Sequence, residues 1–301
     1  MGLNTQVVGH KTEKKTVKIE SSSVDRYLDA VESKNPLNFY NINKFAPPMF
    51  NVALEISHIT ELWSLEEMHG TQEDVERNVL MLVHGEQQMK FNRLLKIDEE
   101  ITTHAIIENI QEKGRNYIVT LKSIHEDSNS KETGTSTWSL FIRAEDSKLE
   151  KSSEKKESKP KKKPIVKEEI KEIIMNSDFH VPEGITYKYA EASGDNNKIH
   201  IDPEHAKKAG LDGVIVHGLC TMAMTVEQIT DNHLGGFPGT IKEVGLRFSS
   251  PVWPGDNLEV KGWSSESEEN CILFDVNRSG SATKVIKSGR LKFENEQHIG
   301  F

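Results

Sequence analysis

The chain has almost no cysteine. Cys220 and Cys271 are its two thiols in 301 residues, too few for a disulfide framework or a thiolate zinc site. Long apolar runs are missing as well, so no segment reads as a transmembrane helix. The opening tract MGLNTQVVGHKTEKKTVKIE has no apolar centre of the kind a secretory signal needs. The expected compartment is therefore reducing and cytoplasmic. Positive charge is in deficit: 38 Lys and Arg against 47 Asp and Glu give a formal charge of −9, which argues against a nucleic-acid partner. Hydrophobic residues reach 35% and the mean hydropathy is −0.56, polar for a folded chain, so part of the length is not core. At this length the choice is between two domains and one large one.

One tract accounts for much of that polarity. Lys148 to Pro164 reads KLEKSSEKKESKPKKKP, with Leu149 its one apolar residue and eight lysines against three glutamates. Such composition cannot bury enough surface to offset the entropy of ordering, so it reads as a solvated linker. A basic run can also serve as a localisation or polyanion-binding patch, and that alternative stays open. The division expected is residues 1–145, a charged linker at 146–164, and residues 165–301.

The second half carries the cleaner local signals. Ile165 to Met175 fits helix or strand equally. Asp202-Pro203 followed by Gly210 marks a short helix, with an N-cap, a first-turn proline and a glycine stop. His217-Gly218 then opens an apolar stretch long enough for one buried helix, in which Leu219, Met222 and Met224 are core candidates and Cys220 a buried thiol. From Thr240 onward apolar and polar residues alternate through Leu246 and Phe248, Leu258 and Val260, Ile272 to Val276, and Val285 to Phe293, with a turn at Pro254-Gly255-Asp256. A buried helix followed by long antiparallel strands implies an α+β fold.

The residues capable of chemistry lie just before that helix, in Tyr189 to His200. Asp195 and His200 stand five residues apart in a turning loop, where a carboxylate and an imidazole can share one water and exchange protons near neutral pH. Taken alone, this spacing favours a plainer reading, in which Asp195 caps a turn and His200 is an ordinary loop histidine.

The wider pattern changes the reading. SGDNNKIH, followed seventeen residues after its histidine by His217-Gly218, resembles the MaoC-like (R)-specific enoyl-thioester hydratases. Their pattern is roughly Ser/Thr-Gly-Asp-x-Asn-Pro-x-His and then His-Gly. Gly194, Asp195, Asn197, His200, His217 and Gly218 match, and Lys198 departs from the usual proline. FSSPVWPGDNLEV resembles the same family's strand–turn–strand. The resemblance covers about residues 180–295 and implies a hot-dog fold, an antiparallel sheet wrapped around a central helix. It implies that Asp195 and His200 activate the water, and that the Gly218 N–H stabilises the enolate oxygen with Asn197 and His217 beside the substrate. It implies no cofactor and no metal.

The first half reads as a copy of the second. Ala30 to Asn38 can be laid on Ala192 to His200 without a gap, which puts Ser33 at the place of Asp195 and Asn38 at that of His200. Neither replacement can act as acid or base near neutral pH. Phe91 to Ile101 aligns with Phe248 to Leu258. The tracts KNPLN, APPMF and VHGEQQMKFNRLLKIDEEIT resemble the FAS1-like dehydratase domains that accompany MaoC domains. His84-Gly85 imitates His217-Gly218 but lies too close to Phe91 for a helix to intervene, so it is expected in a strand, with the true counterpart of Gly218 near Pro48-Met49. The whole is then a double hot-dog with one active loop. The resemblance implies reversible hydration of (2E)-enoyl thioesters of coenzyme A or acyl carrier protein to (3R)-3-hydroxyacyl thioesters, in a possible homodimer. A hydratase for branched or dicarboxylic acyl groups and a non-catalytic thioester-binding subunit are the alternatives. Lys188, Lys198, Lys207 and Lys208 could meet a carrier's phosphates, although such lysines are more often solvated surface.

Overall fold

The computed structural model describes residues 2–34, 44–80, 82–142 and 172–294. The Lys148–Pro164 tract, the Asn35 to Asn38 run and the beginning of the Ile165–Met175 segment lie outside the described residues. Ten strands form one antiparallel sheet: β1 (Lys15–Lys18), β2 (Leu82–Phe91), β3 (Glu100–Lys113), β4 (Asn116–Asp127), β5 (Glu132–Ile142), β6 (Ile173–His180), β7 (Ile241–Phe248), β8 (Asn257–Ser264), β9 (Cys271–Arg278) and β10 (Lys284–Phe293). Their spatial order is β1-β3-β4-β5-β2-β7-β10-β9-β8-β6. Read from either edge inward, each half lays down its strands in the same sequence. The first strand of each half is at the edge and the second is at the seam.

The seam is where the repeat becomes measurable. β2 and β7 pair antiparallel, from Glu86↔Arg247 to Lys90↔Glu243, with Gln88 opposite Gly245 in the middle. The shift in numbering that carries Phe91 onto Phe248 also carries Gln88 onto Gly245. A residue paired with its own counterpart must sit on a two-fold axis. A second such pair lies among the helices. The shift that carries Ala30 onto Ala192 carries Tyr27, on α1 (Ser21–Ala30), onto Tyr189, on α5 (Ile185–Ser193), and these rings lie 5.8 Å apart. The same shift exchanges two ion pairs, Lys188 with Asp29 at 3.1 Å and Arg26 with Glu191 at 4.0 Å. It also matches Glu32 (φ 52°), two residues after α1, to Gly194 (φ 80°), directly after α5, both left-handed. The chain is a pseudo-dimer of two hot-dog units, as expected.

Each unit wraps its sheet around one long helix. In the first unit this is α2 (Asn51–Trp63), followed by the short α3 (Glu66–His69) and α4 (Gln72–Leu80). In the second, after α5 and α6 (Pro203–Lys208), it is α7 (Gly218–His233), which buries nearly every residue from Leu219 to Thr230. The expected counterpart of Gly218 falls in a 3-10 turn, Pro48–Phe50, at the start of α2. The strands alternate as a sheet with one covered face must: Ile101, Thr103, Ala105 and Ile107 of β3 point inward. A single apolar core runs through both units.

The local expectations hold with one exception. Asp202 caps α6 by accepting from the N–H groups of Glu204 and His205, Pro203 is its first residue, and Gly210 takes a φ of 80°. Leu219, Met222 and Met224 are buried, as is the Cys220 thiol. His84 and Gly85 lie in β2. The exception is α5, which no local signal marks: Tyr189 to Ser193 form its last turn, and the loop begins at Gly194, the boundary read from the sequence.

Candidate active site

The loop from Gly194 to Ile201 is fastened at each step. Gly194 ends α5 in a left-handed conformation that disfavours a side chain. Ser193 Oγ donates to the Tyr189 carbonyl at 2.7 Å and accepts from the Asp195 N–H at 3.2 Å. Asp195 Oδ1 accepts from the Asn197 N–H at 3.2 Å. Asn197 Oδ1 accepts from the Ile199 N–H at 3.3 Å and caps the 3-10 turn Lys198–His200. Lys198 stands at the first position of that turn, where the amide has no partner within the turn, so the family's proline and this lysine serve equally.

His200 and His217 complete the arrangement. His200 Nδ1–H donates to the Ile215 carbonyl at 2.8 Å, which fixes the tautomer and leaves Nε2 bare. His217 Nε2–H donates to the Asp195 carbonyl at 3.0 Å and so ties the loop to the start of α7. The two imidazoles stack, with centroids 3.9 Å apart, and Tyr189 leans on His217 at 5.0 Å. Burial pushes the His200 pKa down, against the opposing pull of the Asp195 charge and the Ile215 bond. Burial, with His200 beside it, pushes His217 well below the usual histidine range. Both rings are therefore neutral at pH 7, and His200 can accept a proton.

The reactive atoms converge. One ligand atom from each of Asp195, His200 and His217 lies within 4.8 Å of the others, a separation that one water can bridge. Gly218 is the first residue of α7, so its N–H has no acceptor within the helix and faces outward with the positive end of the helix dipole. A Cβ at this position would stand 3.1–3.2 Å from carbons of the Phe248 ring.

Of the five predicted site residues, Asp195, His200 and His217 meet in one place, with Asn197 in the same loop and Gly218 next to His217 at the start of α7. Asp195, His200 and Gly218 present reactive or polar atoms. The Asn197 side-chain oxygen and His217 Nε2 are engaged with the loop backbone. Ser33, at the place of Asp195 in the first unit, donates to Glu227 Oε2 on α7 at 2.7 Å, and Asn38 lies outside the described residues. Lys188, considered above for phosphate binding, is paired with Asp29 and Glu32 instead, and Lys207 pairs with Glu204. Sequence reasoning missed the contact of His84, in the first unit, with Phe248, the ring next to Gly218. Its signal was the pair of glycine-flanked histidines, and its orientation depended on an irregularity that no pattern shows.

The two-fold double hot-dog, with one acid–base loop facing one helix N-terminus, places the protein among the hot-dog hydratases and dehydratases. More particularly, residues 156–285 match the MaoC like domain and residues 6–131 the FAS1-like, dehydratase domain region. A probable enoyl-CoA hydratase 2 from Dictyostelium discoideum is 27% identical over 216 residues, covering 71% of each chain. Peroxisomal multifunctional enzyme type 2 of Mus musculus is 25% identical over 222 residues, 72% of this chain and 27% of that much longer one. A MaoC-like dehydratase from Phytophthora capsici shares the fold with a TM-score of 0.73 at 22% identity, over 94% of this chain and 96% of its own. No helix among the described residues is long and apolar enough to cross a membrane.

Proposed function

We propose that this protein is a hydro-lyase that reversibly adds water across the double bond of (2E)-enoyl thioesters to give (3R)-3-hydroxyacyl thioesters, with Asp195 and His200 as its acid–base pair. The observation that carries the reading is the approach of Asp195, His200 and His217 to within 4.8 Å of one another, directly before Gly218 at the start of α7. Water held between Asp195 and His200 forms the new C–O bond at C3 and gives up one proton to the pair. The electrons of the double bond move toward the thioester oxygen, where the Gly218 N–H accepts the developing charge as a hydrogen-bond donor. The pair returns a proton to C2, so one water is added and no net proton is taken up. Dehydration is the same path reversed. Neutral His200 suits both directions, because it can take a proton from water and return it.

The substrate we assign is an acyl-CoA, by analogy with the relatives named enoyl-CoA hydratase 2. Residues 1–145 act as a FAS1-like unit that has lost its own acid and base, residues 165–301 hold the site, and 146–164 join them. The pairing that a hot-dog homodimer would supply is already made within the chain by β2 and β7.

The test follows the conjugated thioester absorbance of crotonyl-CoA and longer trans-2-enoyl-CoAs. The wild type should consume it. Asp195→Asn and His200→Ala should each lower kcat by about 10²–10⁴-fold, the usual contribution of a positioned acid or base. Undiminished turnover by Asp195→Asn would sink the mechanism.

A further inference from the structure

β2 contains a β-bulge. His84 pairs with Leu140 and Glu86 with Ser139, which leaves Gly85 without an opposite residue. Beyond the bulge Gln87 and Met89 point inward, so a regular strand would turn His84 outward. The extra residue reverses that alternation and brings His84 onto the inner face. There its ring stacks on Trp138 with centroids 4.9 Å apart and planes 9° from parallel. Its other neighbour is Phe248 of the second unit, also at 4.9 Å. Phe248 in turn is the ring that closes against Gly218.

Trp138 is itself held from behind. Its Nε1–H donates at 2.7 Å to Glu55 Oε2, a fully buried carboxylate on α2. Glu55 Oε1 also accepts from Ser136 Oγ at 2.5 Å and from His125 Nε2 at 2.8 Å. Such a network leaves the indole little freedom. The contacts therefore run unbroken from the first unit's central helix, through Trp138 and His84, to Phe248 and the first residue of α7.

We propose that His84 is a positioning residue of the hydratase site: its ring, wedged between Trp138 and Phe248, holds Phe248 against Gly218 and so fixes the N–H that meets the thioester oxygen. The first unit, without an acid–base pair of its own, thus builds one wall of its partner's site. His84 Nε2–H donates to Gln87 Oε1 at 3.0 Å, and burial holds the ring neutral, with its pKa pushed down to about 4. Asp195 and His200 are among the groups whose charge acts on it, in keeping with a place beside the catalytic loop.

The inference rests on the hydratase reading, and one set of proteins separates the two. Full-length wild type, His84→Ala, His84→Phe and His84→Asn are assayed on crotonyl-CoA, with melting temperatures recorded. Loss of the wedge should lower kcat about 30-fold in His84→Ala and leave KM within about threefold, because a displacement of an ångström or less acts on the transition state. His84→Phe keeps the ring and should return kcat to within about threefold of wild type, while His84→Asn should not. Should His84→Ala fail to fold, the Phe and Asn variants decide by the same contrast, and equal kcat in both would overturn the inference. Wild-type kcat in a folded His84→Ala would overturn it too, leaving the hydratase reading intact. A wild type inert on every enoyl-CoA would defeat the reading and the inference together.

Discussion

At the scale of the residue, the site is set by which ring nitrogens are occupied. His200 and His217 each donate one N–H to a backbone carbonyl, and burial holds both neutral. The direction of the His200 shift determines the pH dependence. A free histidine would be half protonated near pH 6.5, and protonation removes the base. Because the folded enzyme holds His200 below that value, the acid limb of kcat/KM should have its midpoint below pH 6.5. The pH profile of kcat/KM on crotonyl-CoA checks this, and an acid limb at or above pH 6.5 would assign the proton transfers elsewhere. Asp195, His200, His217 and Gly218 were legible only together, through SGDNNKIH followed seventeen residues later by His-Gly, since the Asp and His spacing alone favours an ordinary turn. His84 was legible only as part of a strand. Its approach to the site follows from a one-residue bulge, and a bulge is set by how two strands pair rather than by either sequence alone.

At the scale of the element, helix α7 joins stability to chemistry. Its apolar body fills the second unit and its first residue faces the site, so a change at Gly218 tests both. A methyl group there would meet the Phe248 ring at 3.1–3.2 Å, tighter than an ordinary contact, and either the ring or the helix end must give by a few tenths of an ångström. Gly218→Ala should lower kcat by about 10–100-fold, less than the 10²–10³ typical of removing an oxyanion donor outright, since the N–H survives but is displaced. Turnover at the wild-type rate would place the oxyanion contact somewhere else. The boundaries of α6 could be read from its caps, since Asp202, Pro203 and Gly210 are all unambiguous, and the start of α7 from His217-Gly218 before an apolar run. Helix α5 was not legible. It lacks a side-chain cap at its start and carries a mixed composition, and it owes its place to packing against α1 across the two-fold axis, a contact between segments far apart in sequence.

At the scale of the molecule, two-fold symmetry organises everything except the chemistry. Counterparts pair with each other at Gln88 and Gly245, Tyr27 and Tyr189 stand side by side, and the ion pairs of α1 and α5 are exchanged by the axis. The exposed ion pairs contribute little, at about 0–1 kcal/mol each. The seam is held by strand pairing and by the continuous core. We propose that the chain between β5 and β6 serves to connect units already joined through the sheet. In spatial order β5 and β6 are six strands apart, about 29 Å at the usual strand spacing. Removing Lys148–Pro164 leaves about 13 residues between Ile142 and Ile173, able to reach about 43 Å when extended. The shortened chain can therefore still close, and it should keep its melting temperature within about 3 °C and its kcat within about twofold of wild type, as expected for a change outside the packed core. Thermal unfolding and crotonyl-CoA turnover of the deletion variant measure both. A soluble variant that unfolds early would place those lysines in contact with the folded units, whereas full activity would leave them as connection alone.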